Sequence, residues 1–239
     1  MKPPILILCG GRGRRLIPLT QTLPKPLVSI HGKPILEHIL DFYIQKRFDH
    51  FILCTGYKSE AIEKYIHSKK FTAHIEISHV GEKAGILKRI YEASHRLNKK
   101  NKFKNFIVAY GDTFIDINIK KMMQQHIHTK AQMTITIANI QNPFGIVQYD
   151  RENRIICYQE KPTYYYFVGH MILRVSLLNS VPSRFLNMPD GEGIVGWFEH
   201  LIDQKELFAY NHKGLKLTFN TLEEHRMAEK EMMKFYTDS

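Results

Sequence analysis

Three cysteines in 239 residues, Cys9, Cys54 and Cys157, are too scattered and odd in number to build a disulfide framework, and none sits at metal-ligand spacing. They read as buried reduced thiols. Long apolar runs are also missing, which excludes a membrane-spanning helix. No signal-peptide pattern opens the chain, so a cytoplasmic protein is expected. Acidic residues are in deficit, 23 against 34 Lys plus Arg, and the net charge is +11. Such a balance raises nucleic-acid binding as a reading. No nucleic-acid motif accompanies it, however, and many lysines fall in local runs such as Lys69-Lys70 and Lys99-Lys100 that suit helix ends and loops. A protein that handles phosphorylated small molecules explains the sign equally well. Of thirteen histidines the only close pair is His126-x-His128, which reads as a solvated helix face. Repeats, linkers and low-complexity segments are absent as well. With 44% hydrophobic and 24% charged residues, the chain has the composition of one ordinary globular domain.

What is present is concentrated in residues 5 to 34. The apolar run Ile5-Leu6-Ile7-Leu8 reads as a buried strand and ends at Gly10-Gly11-Arg12-Gly13-Arg14-Arg15. Glycines let the backbone approach a ligand, exposed amides bind anions, and arginines pair with phosphate. Lys25 follows between Pro24 and Pro26, which stiffen the segment around it. Together these suggest a polyphosphate cradle at the C-terminal end of the first strand. It is not a Walker A loop, because no Gly-Lys-Ser/Thr follows the glycines. It is not the dinucleotide fingerprint either, since Leu16 stands where a third glycine belongs.

Beyond the loop, Pro34 opens a predicted helix with Ile35, Leu36, Ile39, Leu40 and Tyr43 at helical spacing. Strands are predicted at Phe51–Cys54, Ile75–Ile77 and Phe106–Tyr110, with helices over Ser59–His67 and after Gly85. This alternation implies an α/β fold with a Rossmann-like, mixed but mainly parallel sheet and helices on both faces. Shorter strands are predicted over 132–139, 144–149 and 154–160, then Phe167–Leu173, a helix over Gly193–Gln204, a short strand pair near 207–219 and a final helix over Leu222–Phe235. The expected organisation is one domain over 1–239. Residues 1–130 form one half of it, and residues 131–239, with the C-terminal helix, are expected to form a substrate-binding lobe that completes the same sheet. In open α/β sheets ligands gather at the carboxyl ends of strands, where Gly11, Gly56, Gly111 and Asp112 fall. Asp112 is placed either to hold a Mg²⁺ that bridges phosphates or to cap the next turn. Glu160-Lys161-Pro162 reads on its own as an exposed ion pair at a turn, and Gly145 and Gly169 as turn or strand glycines.

Gly10-Gly11-x-Gly13-x-Arg15-Leu16-x-Pro18-Leu19-Thr20, followed by Pro24-Lys25-Pro26-Leu27, resembles the signature of the sugar-1-phosphate nucleotidyltransferases. The resemblance extends over nearly the whole chain and is nearest to glucose-1-phosphate cytidylyltransferases. Gly32-Lys33-Pro34-Ile35-Leu36, Leu87-Lys88-Arg89, Tyr110-Gly111-Asp112, Gln159-Glu160-Lys161-Pro162 and Asn220-Thr221-Leu222 carry it. It implies a reaction between a nucleoside triphosphate, with CTP favoured, and a sugar 1-phosphate, with Mg²⁺ as cofactor. It implies that Cys9, Gly10, Gly11, Gly13 and Gly85 lie at the nucleotide, and that Arg15 and Lys25 bind its phosphates. Asp112 and Asn220 stand at the metal positions, and Gly145, Glu160, Lys161 and Gly169 at the sugar phosphate. Asn220 replaces the family's aspartate, Gly169-His170 replaces a glycine pair, and Ala84 replaces a glycine. These departures leave open UTP, dTTP or GTP, a non-sugar phosphate acceptor, or a catalytically weak nucleotide-binding regulator. No nucleic-acid or membrane partner is implied, and no oligomeric state.

Overall fold

The computed structural model describes residues 2–97, 103–189 and 191–237. The Lys99-Lys100 run lies outside them. The chain begins with β1 (Ile5–Cys9), a 3₁₀ turn over Arg14–Leu16, α1 (Leu19–Thr22) and a second 3₁₀ turn over Lys25–Leu27. Then come β2 (Ser29–Ile30), β3 (Lys33–Pro34), α2 (Ile35–Gln45), β4 (His50–Thr55), α3 (Ser59–Ser68), β5 (His74–His79) and α4 (Ile86–Leu97). The middle holds β6 (Asn105–Tyr110), β7 (Thr113–Ile115), α5 (Ile119–His128), β8 (Met133–Gln141), β9 (Ile146–Tyr149), β10 (Ile155–Gln159) and β11 (Thr163–Arg174). The chain closes with α6 (Val175–Asn179), α7 (Ser183–Leu186), α8 (Glu192–Asp203), β12 (Leu207–Asn211), β13 (Lys216–Thr218) and α9 (Leu222–Thr237).

Among the described residues, seven strands form the main sheet in the order β12-β8-β11-β6-β1-β4-β5. Strand β1 runs parallel to both β4 and β6, β4 to β5, and β12 to β8, while β11 is antiparallel to both of its neighbours. Side chains alternate across the sheet and feed two cores. Ile5, Ile7, Phe51, Leu53 and Ile107 pack with α2, α3, α5 and α9 on one face. Leu6, Ile52, Phe106 and Val108 pack with α4, α6, α7 and α8 on the other. The mainly parallel sheet with helices on both faces agrees with the alternation of the sequence.

Three expectations need correction. The strands near 207–219 do not pair with each other: β12 extends the main sheet beside β8, whereas β13 pairs antiparallel with β7. His126 is fully buried, its Nδ1 2.9 Å from the Thr134 hydroxyl, so the His126-x-His128 face is solvated only at His128. Cys157 is exposed on β10, while Cys9 and Cys54 are buried.

His170, on β11, is buried against Tyr43, with ring centroids 6.4 Å apart and an interplanar angle of 24°. Burial lowers its pKa from the ordinary 6.5 to about 3, and burial likewise lowers that of His126 to about 4. Both stay neutral in the folded chain and would take up protons on unfolding below pH 6.5. The unfolded state therefore binds more protons there, and stability falls as pH drops from 6.5, with a slope of about 1.4 kcal/mol per pH unit for each fully titrating histidine. Urea unfolding of His170→Phe should show a shallower loss between pH 7 and pH 5 than the parent chain. Parallel curves would contradict this account.

Candidate active site

Strands β1, β4 and β6 end side by side, and the loops that leave them are tied together. Gly111 N donates to Leu8 O at 2.9 Å and Tyr57 N to Gly10 O at 3.1 Å. Between these ends lies a cavity of about 310 Å³ lined by Cys9, Gly10, Gly11, Gly13, Arg15, Lys25, Arg89, Tyr110, Asp112 and Asn220, among others. Gly13 adopts φ +59°, a left-handed conformation that glycine takes without penalty. Its carbonyl accepts from Leu16 N and from Thr20 Oγ1, both at 2.9 Å, which folds the glycine-rich loop back on itself.

Lys25 is the cation at the floor of this cavity. The Pro-Lys-Pro segment forms a tight turn, closed by Leu27 N donating to Pro24 O at 2.8 Å, and leaves the lysine side chain 7% exposed. Lys25 Nζ donates to Asp112 Oδ2 at 2.7 Å and to Asn220 Oδ1 at 3.2 Å. Arg15 donates to the same Asn220 oxygen at 3.0 Å. Two facing cations thus set which end of the amide points inward. Asn220 itself is braced by the start of α9. Its N–H donates to Glu224 Oε2 at 2.5 Å, and Glu224 N donates to Thr221 Oγ1 at 3.2 Å, a variant of the capping box.

Asp112 and Asn220 converge on one nitrogen. They offer one carboxylate and one neutral amide oxygen, a sparse set that suits Mg²⁺ where phosphates and water complete the shell. Cys9 lines the cavity, but burial, the nearby Cys54 and Asp112 push its thiol pKa well above the ordinary value, so it stays protonated. Gly85 does not itself line the cavity. Buried at the start of α4, it accepts Arg89 N at 3.1 Å, and its neighbour Ile86 reaches the wall.

A second cavity, about 300 Å³, adjoins the first at Tyr110 and includes Gly169, Phe167 and Lys216. Gly169 has φ +79°, and a Cβ there would lie 3.0 Å from the Tyr110 ring. The structure does not bring Gly145, Glu160 and Lys161 to either cavity. They sit at the exposed β9–β10 hairpin, which pairs outside the main sheet. There Glu160 accepts the Tyr158 hydroxyl, and Lys161 lies 3.9 Å from Glu160 as a solvated pair. His170, next to Gly169, faces the core rather than the second cavity.

Arg89 and Tyr110 belong to segments that carry the family resemblance, but the sequence assigns neither of them a role at the site. Arg89 is 4% exposed, and its guanidinium donates to the carbonyls of Thr55 and Glu82. A Cβ on Gly10 or Gly56 would come within 2.5 Å of that guanidinium, so it fills the space both glycines leave. The signal available in the sequence was an arginine inside the apolar stripe of α4, beside Leu87, Ile90 and Ala93. At the cavity mouth Arg12 pairs with Glu82 at 2.5 Å and links the loop to the segment before α4.

The family model described as nucleotidyl transferase matches residues 5–175. The chain belongs to the nucleotidyl transferase family. It is 28% identical over 239 aligned positions to a D-glycero-alpha-D-manno-heptose 1-phosphate guanylyltransferase of Aneurinibacillus thermoaerophilus, covering 96% of this chain and 98% of that protein. It is 34% identical over 162 positions to a mannose-1-phosphate guanyltransferase beta-B of Xenopus laevis, covering 66% of this chain but only 44% of that longer protein. Among solved structures, HddC from Yersinia pseudotuberculosis complexed with GMP-PN superposes with a TM-score of 0.73 at 21% identity, over 97% of this chain and all of that one. This likeness establishes the nucleotide-diphospho-sugar transferase fold.

Gly10→Ala should displace the buried guanidinium from the Thr55 carbonyl. We expect a loss of about 1–3 kcal/mol in urea unfolding, as for other overpacked sites. An unchanged unfolding midpoint would show that Arg89 repacks freely.

Proposed function

We propose that this chain joins GTP and a sugar 1-phosphate to give a GDP-sugar and pyrophosphate. The supporting observation is the coincidence of a cation-floored cavity at the strand ends with an end-to-end match to a guanylyltransferase of almost the same length. The preference for CTP expected from the sequence finds no support, since the two relatives described above carry guanylyl names. The acceptor class follows the same names, with a heptose or mannose 1-phosphate favoured.

An oxygen of the sugar 1-phosphate attacks the α-phosphorus of the triphosphate, the bond from that phosphorus to the bridging β-oxygen breaks, and pyrophosphate leaves with the electron pair. The nucleophile is already anionic, so no general base is required. This accounts for a site built from Gly, Arg, Lys and Asp without a Ser-His-Asp set. In this reading the Gly10, Gly11 and Gly13 amides hold the phosphates along the loop. Arg15 and Lys25 neutralise the charge that develops on the leaving group. Asp112 and Asn220 would hold Mg²⁺, which when bound supplies further charge neutralisation across the phosphates. On triphosphate binding Lys25 exchanges part of its contact with Asp112 for phosphate oxygen. Gly169 borders the sugar in the second cavity. For Gly145, Glu160 and Lys161 to reach the sugar phosphate, the β9–β10 hairpin must approach Tyr110.

A second reading rests on Asn220. With an amide in place of a carboxylate, already shared by Lys25 and Arg15, the chain would bind nucleotide and turn over slowly or not at all.

Pyrophosphate release with Mg²⁺ should be measured for GTP, CTP, UTP and dTTP against mannose, heptose and glucose 1-phosphates. Release with GTP as the best donor is expected. Release with CTP alone would overturn the base assignment, and nucleotide binding without release from any pair would favour the second reading. Lys25→Ala should fold and lose about a hundredfold or more in turnover, roughly 3 kcal/mol, by analogy with removal of an oxyanion donor. Near-normal turnover would remove Lys25 from the mechanism.

A further inference from the structure

The opposite end of the sheet carries a different kind of cluster. His50 opens β4 and His74 opens β5, and the parallel register sets them directly across from each other. The backbone fixes this pairing, because His74 N donates to Asp49 O at 2.8 Å. Glu76 stands two residues beyond His74, hence on the same face of the strand. Its Oε1 lies 2.9 Å from His50 Nε2 and 3.1 Å from His74 Nε2. One ligand atom from each of the three lies within 4.8 Å of the others.

We propose that His50, His74 and Glu76 form a divalent transition-metal site, best suited to Zn²⁺, that staples edge strand β5 to β4. Two imidazoles and one carboxylate are the nitrogen-rich, borderline donors that zinc prefers, whereas Mg²⁺ prefers oxygen throughout. The spacing fits: zinc bonds of about 2.0–2.1 Å in a tetrahedral shell separate neighbouring ligand atoms by roughly 3.3 Å. The two nitrogen–oxygen separations are already near that value, so small rotations of the rings admit the ion. Without metal, each Nε2 can direct its proton at Glu76. With metal, that proton resides on Nδ1 and the Nε2 lone pair faces the ion. Three protein ligands leave a fourth position for water, and the exposure of His74, 67% for its side chain, gives the ion a direct route in.

The placement gives the site a purpose. Among the described residues, strand β5 is the edge of the sheet beyond β4 and has no strand on its other side. A metal bound across the first residue of each strand closes that edge at its N-terminal end. The nucleotide cavity lies at the C-terminal ends, about one strand length away, on the order of 17 Å for six residues. The staple is therefore separate from the proposed chemistry and does not depend on it.

The test uses the full chain, stripped with a chelator and returned to metal-free buffer near neutral pH. Isothermal titration with Zn²⁺ should show one equivalent bound with excess Mg²⁺ present, and the thermal midpoint should rise with free Zn²⁺ as expected for a ligand specific to the folded state. His74→Ala, which removes a mostly exposed side chain, and Glu76→Gln should each fold normally. Each should weaken Zn²⁺ binding by at least about tenfold and reduce the midpoint shift at a given free Zn²⁺ accordingly. Co²⁺ in place of Zn²⁺ should give four-coordinate absorption bands in the parent chain and lose them in His74→Ala. Failure of the parent chain to bind Zn²⁺ would overturn the proposal. Retention of parent affinity and stoichiometry in both variants would also overturn it, by placing the ion on other histidines.

Discussion

A buried ammonium must keep an anion or a good acceptor beside it, because water is no longer there to solvate it. Lys25 meets that requirement with Asp112 and Asn220, which lie 87 and 195 residues away along the chain. One side chain therefore ties together the segment after the glycine-rich loop, the end of β6 and the start of α9. The ring of Phe219 lies under the same nitrogen at 5.2 Å and helps keep water from its other side. Polyphosphate offers the same ammonium a stronger partner, so in the proposed reaction the contact that holds the cavity together is the one a nucleotide would exchange.

The sheet supplies the rigid frame for that exchange. Parallel β4, β1 and β6 deliver Gly56, Gly10 and Asp112 to one edge, and the backbone bonds between the loops hold those ends in register. Antiparallel β11 then brings Gly169 against Tyr110, so the second cavity opens beside the first, with one aromatic ring bordering both. Two neighbouring compartments joined at Tyr110 are the geometry a two-substrate transfer needs.

What could be read from the sequence was local or nearly so. The apolar run of β1, the helical spacing in α2 and the glycine-arginine loop each fix their own structure within a few residues, and they place the cavity at the ends of the strands. The signature residues Arg15, Lys25, Asp112 and Asn220 do meet at that cavity. Contacts set by pairing between distant segments were not legible. No local pattern shows that β13 leaves β12 to pair with β7, that His126 turns inward onto Thr134, or that His50 and His74 stand opposite each other. Part of the expected sugar-phosphate set lies away from both cavities for the same reason. Glu160 and Lys161 sit at a strand end in sequence, but that strand belongs to a separate hairpin whose side chains satisfy one another in solvent. The sequence gives Arg89 no site role, because an arginine in an apolar stripe becomes meaningful only when the carbonyls it reaches are known.

In the proposed transfer Lys25 and Asp112 act as one unit. A double-mutant cycle on pyrophosphate release tests it most directly, with kcat/KM measured for the parent chain, Lys25→Met, Asp112→Asn and the double variant. The account predicts that the double variant is no worse than the weaker single one, a coupling of at least tenfold, or about 1.4 kcal/mol. Losses that simply multiply would contradict it, because the two side chains would then act independently despite their contact.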